Sequence, residues 1–269
     1  MIFKRCKEED LPLIREVMAD SFSTYFYNVN PTVEELKEHF ESISINYPLS
    51  IIMYMDNGPA GLAVCGARGQ TVHLGPMGVI TKYQGHGYGK ELLKKTIALA
   101  KEAGFKKMVL EVACDNTAAC GLYKSTGFKT TRKLKRFQYF NIMPEGVDPS
   151  FTTVKKEPGE ILKCFNEFHK NENPSWLCAY ETVEETKSDF GLTVHKGEEV
   201  LGYALCKDTK IVDIAAEEFE PFKALINAVF EKSSYLFILD LPEEDIRVKY
   251  FKELGFIEFL EHYEMEYAL

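Results

Sequence analysis

The residues best placed for chemistry are Gln84-Gly85-His86-Gly87-Tyr88-Gly89-Lys90, which join the end of one strand pattern to the start of a helical one. Backbone amides at such a junction point outward and carry the positive end of the helix dipole, which favours an anion. Alternating glycines let the main chain approach a diphosphate with no Cβ in the way. Lys90, in the first helical turn, is poorly placed for the dipole but well placed for phosphate. Two familiar phosphate loops are excluded. A P-loop needs glycine where Gln84 stands and Ser or Thr where Glu91 stands, and a dinucleotide fingerprint needs glycine where Lys90 stands. Downstream, Glu111, Asn116 and Tyr123 supply a carboxylate, an amide and a phenol.

Gln84-x-x-Gly87-x-Gly89 follows a strand ending Met77-Gly78-Val79, and Asn116-x6-Tyr123-x3-Gly127-Phe128 comes next. In this order the motifs resemble the GCN5-related N-acetyltransferase superfamily, over a stretch whose surrounding elements fit that fold from Met1 to Phe140. Leu110-Glu111-Val112 with Asp115-Asn116 most resembles its ribosomal-protein alanine acetyltransferase branch. The resemblance implies acetyl-CoA as co-substrate, held between splayed strands ending at Val79 and Ala113. Its pantetheine arm would pair with the backbone of Met77, Gly78 and Val79. Gly85, His86, Gly87, Tyr88, Gly89 and Lys90 would hold the pyrophosphate, Gln84 would open the same cofactor-binding motif, and Asn116 would bond the pantetheine. Within that branch the residue matching Glu111 accepts a proton and the one matching Tyr123 donates one. Elementary chemistry asks for both roles. A lysine-like amine with a pKa of about 10 must lose a proton, and an expelled thiolate must gain one. His73, on a strand, is expected to be structural, and His86 to face solvent. No metal is implied.

The elements that must position these groups follow from periodicity. A strand is expected at Ile2–Cys6, a helix from about Glu9 to Phe22, another after Pro31, and strands near 50–55, 60–66 and 71–79. A helix from Gly87 to Ala103 ends before Gly104, then strand Lys107–Ala113, helix Thr117–Ser125 and a terminal hairpin through Phe140 complete the unit. The class is α/β (α+β) with a mixed sheet. Between the first two helices, Phe22, Tyr25, Phe26 and Tyr27 are candidates to line an acceptor channel or to pack those helices.

The pattern then returns. Tyr250–Phe256 (YFKELGF) parallels Leu122–Phe128 (LYKSTGF), and Gly191–Lys207 parallels Ser50–Gly66. A tandem duplication is therefore expected, with a catalytic domain at 1–142, a linker around Asn141–Ser150, and a degenerate second copy at 151–269. From Gly61 to Gly127 is 66 positions, but from Gly202 to Gly255 only 53, and the shortfall falls at the glycine loop. Ala215-Ala216-Glu217-Glu218-Phe219-Glu220-Pro221 stands there instead, and its carboxylates would repel pyrophosphate. The second copy is expected to bind no CoA, and to complete the sheet, wall the acceptor site as a dimer mate would, or offer an acidic rim. A monomer would suit it.

Composition bounds the rest. The chain has 269 residues and a net charge of −9, with 19 Lys/Arg against 14 Asp/Glu up to Pro144 and 13 against 27 beyond it. That asymmetry suits an anionic ligand in the first half, and dispersed lysines on an acidic chain do not suggest nucleic acid. Seven scattered cysteines form no CxxC pair and read as small buried hydrophobes. No membrane span or leader is visible, so a cytoplasmic protein is expected. The overall expectation is transfer of an acetyl group from acetyl-CoA to a primary amine, on a small molecule, peptide or protein. The alternative is a CoA-responsive binding or regulatory protein with little turnover.

Overall fold

In the computed structural model, which describes residues 1–23, 30–56, 58–140, 146–169 and 173–269, the chain forms two compact units. The first is Met1–Thr131 together with Tyr263–Leu269, and the second is Arg132–His262. The division thus falls at neither edge of the expected linker.

The first unit runs β1 (Ile2–Arg5), α1 (Leu11–Ser21), α2 (Val33–Ser42), β2 (Ile51–Met55), β3 (Gly58–Arg68), β4 (Thr71–Val79), α3 (Tyr88–Glu102), β5 (Lys107–Ala113) and α4 (Thr117–Thr126). Strands β1 to β4 pair antiparallel in sequence order, and β5 lies parallel beside β4. Helix α3 turns Leu92, Leu93, Ile97 and Ala100 into a core with Val72 and Leu74 of β4 and Met108, Leu110 and Val112 of β5. It ends at Gly104, whose φ of +84° is the left-handed closure that glycine permits.

Beyond α4 the expected hairpin is not formed. Lys129–Phe140 is a single strand, β6, because no Gly, Pro, Asn or Asp interrupts it to make a turn. The first unit instead takes its last strand from the C-terminus, the end of β12. There Met265 joins the core, the Tyr267 ring packs on Phe128 and the Leu269 amide donates to the Lys106 carbonyl.

The second unit follows the same order with three short helices in place of α1 and α2: β7 (Thr152–Lys156), α5 (Pro158–Ile161), α6 (Phe165–Phe168), α7 (Tyr180–Glu185), β8 (Phe190–Lys196), β9 (Glu199–Lys207), β10 (Lys210–Ala216), α8 (Phe219–Phe230), β11 (Tyr235–Pro242), α9 (Ile246–Glu253) and β12 (Ile257–Ala268). Here β11 pairs antiparallel with the Leu134–Phe140 part of β6. Taking the structural units, charge divides as −1 and −8 rather than +5 and −14. The apparent basic half is a boundary effect. Arg132, Lys133, Lys135 and Arg136 belong to the second unit, where Lys133 and Lys135 meet Glu261 and Arg136 meets Asp240.

The second unit also buries a charged network. Arg247 donates to Asp213 at 2.8 Å, His169 Nε2 lies 3.0 Å from the same carboxylate, and the Tyr203 hydroxyl donates to it. Burial by itself raises a carboxyl. Here the charge and hydrogen bond of His169, with Arg247 and Tyr203, outweigh it and lower Asp213 from 3.8 to about 2. A depressed carboxyl stabilises the fold above its unfolded value, and that contribution is lost as pH falls through about 2. Urea midpoints of the wild type should therefore drop between about pH 4 and 2 more than those of Asp213→Asn. Parallel curves for the two proteins would remove this assignment.

Candidate active site

The site begins with a defect in β4. Its register against β3 shifts between Ala63 and Cys65, opposite a stretch that includes Pro76. Proline has no N–H to give, and a bulge bends the strand that carries it. Pairing between β4 and β5 accordingly stops at His73 opposite Val109. Beyond that point Met77, Gly78 and Val79 pair with β3 along one edge only.

The resulting cleft of about 660 Å³ is walled by that edge, by the loop leading into α3, and by the first turns of α4. Of the residues expected at the site, Met77, Gly78, Val79, Gln84, Gly85, Gly87, Tyr88, Gly89, Asn116 and Tyr123 line it together. Gly85 and Gly87 have φ of +77° and +82°, and a Cβ at either would meet no atom within 4 Å. The glycines therefore serve the backbone conformation and leave open space beside the main chain. Helix α3 starts at Tyr88 with no side-chain cap. Its first amides can therefore serve an anion. An acyl-CoA fits this arrangement, with a diphosphate at the uncapped turn and an extended arm along the open strand edge.

Several residues have duties the motif does not show. Gln84 Nε2 donates to the Val79 carbonyl at 2.9 Å and the Ser21 carbonyl at 3.3 Å, so it braces the loop against β4 and α1. Asn116 Oδ1 accepts from the Ala119 amide at 3.1 Å, capping α4, which leaves its side-chain N–H groups for a ligand. Tyr123 is buried, edge-on to Phe128. His86 and Lys90 are exposed and stand outside the lining; His86 Nδ1 turns back to the Gln84 carbonyl at 2.7 Å and its ring stacks on Tyr88.

Glu111 also lies outside the lining residues. Its Oε2 is 2.5 Å from His73 Nε2, and both side chains are buried. Sequence reasoning treated the two separately, and nothing in their spacing of 38 positions signals the pair.

Ser21 and Phe22, at the end of α1, complete the wall. A Cβ on Gly78 would stand 2.7 Å from Ser21 Cβ, so glycine is what lets the helix end approach β4 this closely. No motif pointed to Ser21. Tyr25, Phe26 and Tyr27 lie outside the described residues. Cys6, Cys178 and Cys206 are not poised for nucleophilic work: burial pushes their thiols up to about 12.

The second unit has the same split but fills it. Strands β10 and β11 pair at Lys210 opposite Phe237, and the Arg247 guanidinium donates to the carbonyl of Ile214, the residue matching Met77. Only Glu217 and Glu218 connect β10 to α8, where the first unit has Ile80–Gly87.

Residues 14–128 match the acetyltransferase (GNAT) family. The chain is 30% identical over 76 residues to N-alpha-acetyltransferase 30 of Schizosaccharomyces pombe, a stretch covering 28% of this chain and 50% of that protein. The chain thus spans about half the length of that relative. A GCN5-related N-acetyltransferase from Sphaerobacter thermophilus shares the fold with a TM-score of 0.75 at 13% identity, over 99% of this chain and 95% of the other. A tandem GNAT protein from the clavulanic acid biosynthesis pathway gives 0.74 at 9% identity, over 99% and 98%.

Proposed function

We propose, from the match of residues 14–128 to the acetyltransferase (GNAT) family and the fold shared with a tandem GNAT protein, that the chain is a tandem-domain member of that family and moves the acetyl group of acetyl-CoA directly to a primary amine. The observation that carries the reading is the convergence of an uncapped glycine turn, an open strand edge and the Tyr123 phenol on one cleft. Acetyl-CoA supplies an acetyl thioester whose carbonyl carbon bonds to the amine nitrogen as its C–S bond breaks. Amides of Gly85, Gly87 and Gly89 hold its pyrophosphate, and the edge of Met77 and Val79 with the Asn116 amide orients its arm. Tyr123 gives its proton to the departing sulfur. Glu111 takes a proton from the ammonium of the acceptor. No residue needs to carry the acetyl group, in keeping with thiols held protonated by burial.

The second unit, with Arg247 seated on the matching strand edge and two carboxylates in place of the loop, binds no CoA in this reading. One acetyl-CoA is thus bound per chain.

A panel of small-molecule, peptide and protein amines, followed by release of free CoA thiol, tests the proposal. Thiol release should require one class of amine and yield one acetylated product per thiol. Tight CoA binding with no release for any amine would favour the binding-protein alternative instead.

A further inference from the structure

We propose that His73 is a positioning residue that holds the Glu111 carboxylate at the apex of the strand split, so that its second oxygen receives the acceptor's proton through a water. The inference rests on the acetyltransferase reading and goes beyond it in assigning His73.

Three observations bring it together. His73 sits in the last backbone-paired position of β4 and β5, opposite Val109, and Glu111 lies two residues further along β5 on the same strand face. The pair therefore ties the strands together where the main chain ceases to. The Nε2–Oε2 distance is 2.5 Å with side chains only 4% and 8% exposed. A carboxylate only accepts, so Nε2 is the donor. Finally, Glu111 Oε1 is buried with no hydrogen-bond partner among the described residues. A carboxylate kept for structure has its buried oxygens satisfied. One whose second oxygen is left unpaired beside the strand split has a lone pair to offer a water.

The chemistry then balances. An ammonium N–H bond breaks and its proton reaches Glu111 Oε1 through the water. The nitrogen lone pair forms the bond to the acyl carbon, and the C–S pair leaves with sulfur, which takes the Tyr123 proton. The tyrosinate recovers a second proton from the same nitrogen, and Glu111 returns its own to solvent. His73 gains and loses nothing; it fixes where Oε1 stands.

The test compares His73→Ala, His73→Gln and Glu111→Gln with the wild type. Gln can place an N–H near the Nε2 position. His73→Ala and Glu111→Gln should each lower kcat by about 10²-fold, and the double variant should be no slower, as for groups acting as a unit. The Tm rise given by acetyl-CoA should be unchanged, and His73→Gln should recover most of the rate. Without any substrate, proton NMR of the wild type should show a far-downfield His73 Nε2–H resonance that Glu111→Gln removes. A folded His73→Ala enzyme at wild-type rate, a Gln variant as slow as Ala, or a missing resonance would overturn the role of His73. If the wild type turns over no amine, the acetyltransferase reading falls instead, whatever the NMR shows about the pair.

Discussion

Gly87→Glu should leave the fold intact and abolish the rise in Tm that acetyl-CoA gives the wild-type protein. Two effects act together at this residue. Gly87 has φ of +82°, a conformation that costs a non-glycine residue about 1–2 kcal/mol, so the turn preceding α3 relaxes or stays strained. The new carboxylate then stands beside the uncapped amides of α3, where it can cap the helix and repel the anion that those amides would bind. With ligand at about 100 times Kd, binding adds about 2.7 kcal/mol to stability. The variant should forfeit essentially all of this, with a far-UV CD spectrum like that of the wild type. Nothing packs within 4 Å of the Cβ position, so a general loss of structure is not expected. A variant that acetyl-CoA still stabilises normally would show that the loop is not the anion site.

Tyr123→Phe should reduce kcat by about 10²–10⁴-fold while leaving the acetyl-CoA-dependent Tm rise almost unchanged. The ring is buried on the cleft wall at 5.7 Å from the Phe128 centroid, and phenylalanine fills the same volume. What disappears is the phenolic proton. The thiolate then departs unprotonated or waits for a proton from solvent, so the defect appears in turnover rather than in binding. Thiol release measured at saturating amine separates the two. An unchanged rate would remove Tyr123 as the acid and return it to plain packing against Phe128.

Much of this was written locally in the chain. Strand Lys107–Ala113 was found with its expected bounds, and α3 within a residue at each end, because a burying face and a Gly104 stop lie within one short window. Glycines at 85, 87 and 89 need only their immediate neighbours to make a strand-to-helix turn, so the turn before α3 was legible there. The duplicated order, and the second copy's lack of a loop, were equally visible as a matching YFKELGF ending and a shorter spacing.

Other features depend on residues far apart in sequence. The hairpin expected through Phe140 became one long strand, and the first unit's closing strand came from Tyr263–Leu269. A strand's own pattern states which face it buries but not which backbone will pair with its edge. For the same reason the basic first half dissolved once Arg132, Lys133, Lys135 and Arg136 met acids of the second unit. Ser21 reaches the cleft only because Gly78 lets a helix end close on β4.

The sequence by itself thus determined a glycine turn between a strand and a helix, followed by an amide and a phenol in fixed order. Only the tertiary structure decided that Gln84 is a brace, that Arg247 fills the second split, and that His73 and Glu111 form one buried pair. The first set follows from local backbone geometry. The second follows from which side chains meet when strands separate, and that is fixed by packing across the whole unit.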